Sequence, residues 1–218
     1  MSNFFQSRHG LDYEQGFMQG AGRILIAPGG ASATFPDAIS DIVDLAAGAT
    51  IYDAVDPWEE VGFTKTGINI TRNNAEETFT VDQLRSAIKT RPSNWEMSVG
   101  TQLAETSLET FALAWELPDP VEVTAAGAGT KGLKKVGMGA PTSYSEKMLC
   151  VLFLYPDDIV RAFVWRRCLH AAQESGFTLQ NTGEQVSLPW RLNCMADDEA
   201  PDGEQFGVIY EETPATGP

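Results

Sequence analysis

Apolar and polar positions along the chain repeat mainly with a period of two. Trp95, Met97, Val99, Thr101 and Leu103 alternate with Glu96, Ser98, Gly100, Gln102 and Ala104. Val186, Leu188, Trp190, Leu192, Cys194 and Ala196 alternate in the same way with Gln185, Ser187, Pro189, Arg191 and Asn193. That period predicts two long strands, each with one buried and one polar face. Pro189 cannot donate to a ladder, so the second strand is expected to carry a bulge or an edge there. Arg23–Ala27 before Pro28-Gly29-Gly30 reads as a short strand and turn, Met148–Tyr155 as a buried strand, and Phe206, Val208 and Tyr210 as a last short strand. Ile159–Leu169 fits a helix nearly as well, but its β-branched and aromatic content favours a strand. Val61–Arg72 is expected to be a strand with a bulge at Gly67, turning at Asn73-Asn74 into a second strand over Glu77–Val81. One segment changes period. Leu108, Phe111, Ala112 and Trp115 form an apolar helical stripe, opened by the capping-box pattern Thr106-Ser-Leu-Glu109 and ended by Pro118 and Pro120. The sum is seven or eight strands and one helix, a mainly β chain of the sandwich or open-barrel kind with a helix packed on it.

The remaining segments read as connections. Residues 1–21 are polar and aromatic without a period and read as an N-terminal arm; 22–211 form the β-domain and 212–218 a C-terminal tail. Residues 29–60 are too long for an ordinary connection and so suggest a functional or interface loop, with a short helix where Ile39, Ile42, Val43 and Ala46 share a face. Within it Trp58 follows Asp56-Pro57. Core packing is the plain role for that indole; an intersubunit anchor is the other, because aromatics are enriched at interfaces. Residues 125–147, rich in Gly and Ala with Lys131, Lys134, Lys135 and Lys147, read as a mobile loop.

Charge narrows the partners. The 218 residues carry 15 Lys and Arg against 30 Asp and Glu, a formal charge of −15. Clamping nucleic acid or an anionic membrane needs clustered cations, so both are disfavoured. No stretch approaches the roughly 20 apolar residues of a membrane span, and the first residues have no secretion-signal pattern. Three widely spaced cysteines, Cys150, Cys168 and Cys194, suggest buried free thiols in a reducing compartment.

Catalytic patterns are sparse. Gly127-Ala-Gly129-Thr-Lys-Gly132 has the form of a dinucleotide fingerprint, but no helix pattern follows and Leu133 stands where a Walker lysine would. The histidines are His9, in the arm, and His170, at the end of an apolar segment, which is poor material for a triad. There is no C-x-x-C, and Asp157-Asp158 and Asp197-Asp198-Glu199 lack the regular spacing of a calcium loop. Neither an enzyme nor a cofactor is expected.

Thr66-Gly-Ile-Asn-Ile-Thr-Arg72, Val81-Asp-Gln83, Trp95-Glu-Met-Ser-Val-Gly-Thr101 and Leu103-Ala-Glu-Thr106-Ser-Leu-Glu109 follow one another in the order seen in the major tail tube proteins of long-tailed, non-contractile bacteriophages. Residues 22–211 resemble that family in layout, with an apolar strand, the Leu188-Pro189 strand, an acidic loop and a final strand in the second half. The resemblance implies a virion subunit made in the host cytoplasm. Six copies would form a ring in which the β-sandwiches join into an inner barrel. Rings would stack into a tube joined by tape measure and terminator proteins, and DNA would pass through without specific binding. A ring of six chains at −15 carries −90, which would repel phosphate and let DNA slide. The tube proteins of contractile tails and of secretion-type injection machines share the implied fold class. The contact candidates are Asp56 and Trp58 in the first long loop and Lys131, Lys134 and Lys135 in the second. Stacking is expected to order residues 1–21, 29–60 and 125–147. A monomeric β-sandwich that binds carbohydrate or protein in an aromatic groove is the alternative from another class.

Overall fold

The computed structural model describes residues 22–30, 33–44, 53–79, 89–139, 144–154, 159–171 and 186–212; of residues 78, 79, 89–93 and 154 only the backbone is described. The expected arm, most of the tail, the Val81-Asp-Gln83 segment, His9 and Asp157-Asp158 lie outside these residues.

Among the described residues the chain is mainly β with one α-helix. Its strands are β1 (Arg23–Pro28), β2 (Glu59–Glu60), β3 (Asn69–Phe79), β4 (Lys89–Leu103), β5 (Val121–Thr124), β6 (Leu133–Lys135), β7 (Lys147–Leu154), β8 (Val160–His170), β9 (Leu188–Met195) and β10 (Gly207–Glu211). Helix α1 (Leu108–Ala114) follows β4. Eight strands share one antiparallel sheet in the order β2-β1-β7-β8-β9-β4-β3, with β10 also on β8; β5 and β6 pair only with each other.

Strands β1, β7 and β8 place residues in both cores, which is why β1 and β7 read as nearly continuous apolar runs; β8 interrupts its run with Arg161, Arg166 and Arg167. On one face Ile24, Leu149, Val151, Trp165 and Cys168 meet Val99, Leu103, Leu188, Trp190, Leu192 and Cys194 from β4 and β9. On the other, Leu25, Ala27, Met148, Cys150, Leu152, Val160, Ala162 and Val164 meet Ile39, Ile42, Val43 and Trp58 of the segment after β1. Residues 59–65 connect the two ends of the strand path. Glu59 and Glu60 pair with Ile26 and Leu25, Val61 N–H donates to the Ile24 carbonyl, and Lys65 N–H donates to the Gln102 carbonyl at 2.7 Å. The path β1-β7-β8-β9-β4 therefore returns to its own start around the first core.

Strand β8 resolves the helix-or-strand ambiguity in favour of the strand, and it carries a bulge. Leu149 opposes Trp165 while Lys147 opposes Cys168, so one extra residue sits in β8. The extra residue puts Trp165 and Cys168 on the same face, so the adjacent Arg166 and Arg167 both stay out of the first core. Arg166 lies 3.8 Å over the Phe35 ring, and Arg167 makes two hydrogen bonds to Glu146 at 3.0 and 2.6 Å. β10 pairs with the first half of β8 and β9 with the second. Gly207, at φ 152°, permits the β10 contact, since a Cβ there would lie 1.9 Å from the Val164 carbonyl oxygen.

Several expectations shift. Asn73 and Asn74 are not a turn; β3 runs through them to Phe79, and β4 begins at Lys89, not near Trp95. The register shift falls between Ala75 and Glu76 rather than at Gly67. This half of the hairpin lies beyond β9, which reaches only Met97, so no core imposes a period on it. The helix is capped one residue later than expected. Ser107 is the N-cap, its Oγ accepting from Thr110 N–H at 3.1 Å. The helix ends before either proline. Glu116 takes φ 52°, Leu117 N–H donates to the Ala112 carbonyl at 2.8 Å and Glu116 N–H to that of Leu113 at 3.4 Å, the two bonds of a Schellman motif. Pro189 lies at the end of β9 where β4 is its ladder partner, in keeping with the expected edge.

Candidate self-assembly surfaces

The segment expected to be a mobile loop, 125–147, holds the turn and the second strand of the β5–β6 hairpin, whose first strand lies just before it. Gly127 and Thr130 exchange both backbone hydrogen bonds at 3.1 and 3.0 Å, with Gly129 at φ 80°, the conformation a type II turn asks of its third residue. The Gly-rich run thus serves a hairpin turn. It precedes β6, not a helix, so its amides lack the arrangement of a dinucleotide loop.

The hairpin turns its apolar residues to solvent. Val121 opposes Lys135 and Thr124 opposes Leu133, which puts Val121, Leu133 and Lys135 on one face and the Glu122–Lys134 pair on the other. Val121, Val123 and Leu133 are 58%, 49% and 56% exposed, and nearby Met138 is 80% exposed. The polar face meets the helix: Lys134 Nζ donates to Glu109 Oε1 at 2.7 Å. That hydrogen bond holds the Glu109 carboxyl below its usual range and the Lys134 ammonium above its own. Lys131 is exposed in the loop before β6. An isolated two-stranded hairpin is marginal in water, and this one leaves apolar surface uncovered.

A second surface is the outer half of the β3–β4 hairpin. Among the described residues β3 has β4 as its only neighbour, so its other rim of backbone donors and acceptors is unpaired over 11 residues. Asn73, Asn74, Ala75, Glu76 and Glu77 are exposed. Trp95 continues the buried line of β4 past the end of β9, so it is 39% exposed, and the Arg72 guanidinium, its diagonal neighbour on β3, lies 4.1 Å from its ring.

The candidates of the first long loop separate. Trp58 is 4% exposed and packs with Leu25, Met148 and Ile42 within its own chain. Asp56, joined to Pro57 by a cis peptide, is exposed. Tyr210 Oη of β10 ties this loop to the sheet by donating to the Pro36 carbonyl at 2.7 Å, and Asp44 N–H joins two parts of the loop by donating to the Asp53 carbonyl at 2.9 Å. The Trp58 and Lys cluster candidates do not converge on one surface element: Trp58 belongs to the loop-side core, and the lysines to the hairpin beside α1.

Two concave sites flank the sheet. A cleft of about 520 Å³ between the β2 end and α1 is lined by Glu59, Glu60, Glu105, Glu109, Glu116 and Asp119 among others. Glu116, whose side chain is 8% exposed, lies there 3.8 Å from Lys147 Nζ. Among the described residues no group of three or more His, Cys, Asp or Glu is placed to hold a metal. A cleft of about 490 Å³ lies at the β4–β9 end, lined by Trp95, Ser98, Arg191, Asn193, Cys194 and Phe206 among others. Arg191 Nη2 donates to Ser98 Oγ at 2.8 Å across its floor.

Sequence reasoning passed over Val121, Val123 and Leu133. Their one signal is Val-Glu-Val-Thr before a glycine turn and Leu-Lys-Lys after it, too short for a period to stand out. Compared with known proteins, the chain matches no family model and no curated protein.

Proposed function

We propose that the chain is a structural subunit that assembles with copies of itself into stacked rings, the tail tube of a bacteriophage with DNA as transient cargo. The observation that carries this reading is the apolar surface of the β5–β6 hairpin, where Val121, Val123 and Leu133 are about half exposed and belong to neither core. The unpaired β3 rim supports it too. Exposed sheet edges are templates for another chain, and a closed ring of subunits removes them. The strand path wrapped around its own core leaves both surfaces outside the fold, so a neighbour can occupy them without unfolding anything.

The order of motifs from Thr66 to Glu109 agrees with this reading, and so does the charge. In a hexamer, acids turned toward the lumen would repel the phosphates of passing DNA. Ring number and lumen charge are part of the proposal. The paired substitution Val121→Glu with Leu133→Glu tests it. It should leave the unfolding midpoint of the isolated chain within about 0.5 kcal/mol, as exposed positions do, and should abolish rings and tubes in sedimentation. Assembly undiminished by both charges would remove the hairpin from the interface. The cleft with exposed Trp95, Asn73, Asn94 and Asn193 favours a second reading, a monomeric binding module with an aromatic groove. A chain that remains monomeric at all concentrations and binds an oligosaccharide there would select it.

A further inference from the structure

Cys168 and Cys194 are directly opposite one another in the antiparallel β8–β9 pair, with their sulfurs 3.4 Å apart in the first core. Cys150 is buried in the cluster on the opposite face of the sheet and cannot reach either. We infer that Cys168 and Cys194 form an oxidisable pair, a covalent modification site at which a small peroxide closes a cross-strand disulfide between β8 and β9. This inference is independent of the assembly reading and holds for ring or monomer alike.

The geometry supplies both the pairing and the order of events. Directly opposed strand residues have Cβ atoms about 4.5–5.5 Å apart, and a disulfide needs about 3.5–4.5 Å, so a small inward movement suffices. The two thiols differ in access. Cys194 is 6% exposed and lines the cleft at the β4–β9 end; Cys168 is fully buried. A molecule the size of hydrogen peroxide entering the cleft therefore meets Cys194 first. The Cys194 sulfur attacks one peroxide oxygen, the O–O bond breaks, and Cys194 becomes a sulfenic acid with release of one water. The Cys168 sulfur then attacks the Cys194 sulfur, the S–S bond forms, the S–O bond breaks, and the departing hydroxide takes the Cys168 proton as a second water. Two thiols are oxidised by two electrons and one peroxide is reduced. Burial pushes the Cys168 thiol well above its ordinary range, so the second step is expected to be the slow one.

The experiment treats the folded full chain with hydrogen peroxide, blocks free thiols with iodoacetamide after unfolding, and maps bridged peptides by mass spectrometry. The untreated chain should show three alkylatable thiols, the oxidised chain one, at Cys150, with a Cys168–Cys194 linked peptide. Three remaining thiols, a bridge involving Cys150, or a bridge between chains would overturn the inference. Cys168→Ala keeps Cys194 in its cleft without a resolving partner. Peroxide should then leave a sulfenic acid at Cys194 that dimedone traps, and no adduct at Cys194 would overturn the proposed order. If that variant does not fold, the wild-type peptide map decides alone.

Discussion

Trp58 shows what a single side chain can settle. Its indole fills the space between β1, β7 and the Ile39–Val43 turn, so it clamps the long loop to the sheet. Trp58→Ala should cost about 3–5 kcal/mol of stability in the isolated chain, measured by urea unfolding. A cost below 1 kcal/mol would mean the indole serves a neighbour instead of its own core. Ser107 and Thr106 make a finer comparison. Ser107→Ala should lose about 1 kcal/mol through the bond to Thr110, whereas Thr106→Ala should lose almost none. Gly207→Ala should cost roughly 1–3 kcal/mol, because a methyl there displaces β10 from β8. The local chemistry of Ser107 was visible in the sequence, since serine precedes an apolar helical run; its exact place was not, because Thr106 offers the same hydroxyl one residue earlier.

At the scale of elements, legibility followed burial. β1, β7, β9 and α1 were readable because each packs against a core that imposes its period or an unbroken apolar run, whereas β8, bulged and interrupted by arginines, was read as a strand only from its β-branched and aromatic content. The outer half of the β3–β4 hairpin and the β5–β6 hairpin were not. Their exposed residues have no core to select one face, so Asn73-Asn74 looked like a turn and Val121–Lys135 mostly like a loop. The surfaces proposed for assembly lie on those same elements, which is why only the lysines of that region were flagged from the sequence. The attachment of β5–β6 to α1 is also pH-dependent. Because Lys134 depresses the Glu109 carboxyl, the contact contributes above that group's unfolded value and is lost as pH falls through its folded one. Amide chemical shifts of residues 121–135 should stay constant from about pH 6 to 8 and move together below the ordinary carboxylate range near 4.3. Shifts that do not move on acidification, or that move identically in Glu109→Gln, would show that the tether lies elsewhere.

For the whole molecule, net charge opposes what the apolar surfaces favour. Chains at −15 repel one another, and screening shortens that repulsion from about 30 Å at 0.01 M salt to about 8 Å at 0.15 M. The protein concentration at which assembly begins should therefore fall as salt rises over that range, measured by light scattering; an onset that rises with salt would mean that opposite charges, not apolar faces, join the subunits. The Cys168–Cys194 bridge, closing a loop between residues 26 apart, should stabilise the isolated chain by about 3.5 kcal/mol, read from urea unfolding before and after oxidation. The measurement that bears most directly on the central claim is electron microscopy of the purified full chain over rising concentration and salt. The account predicts rings that stack into hollow tubes, with sheet continuity between neighbours. Compact single particles under every condition, or aggregates without a central channel, would contradict it.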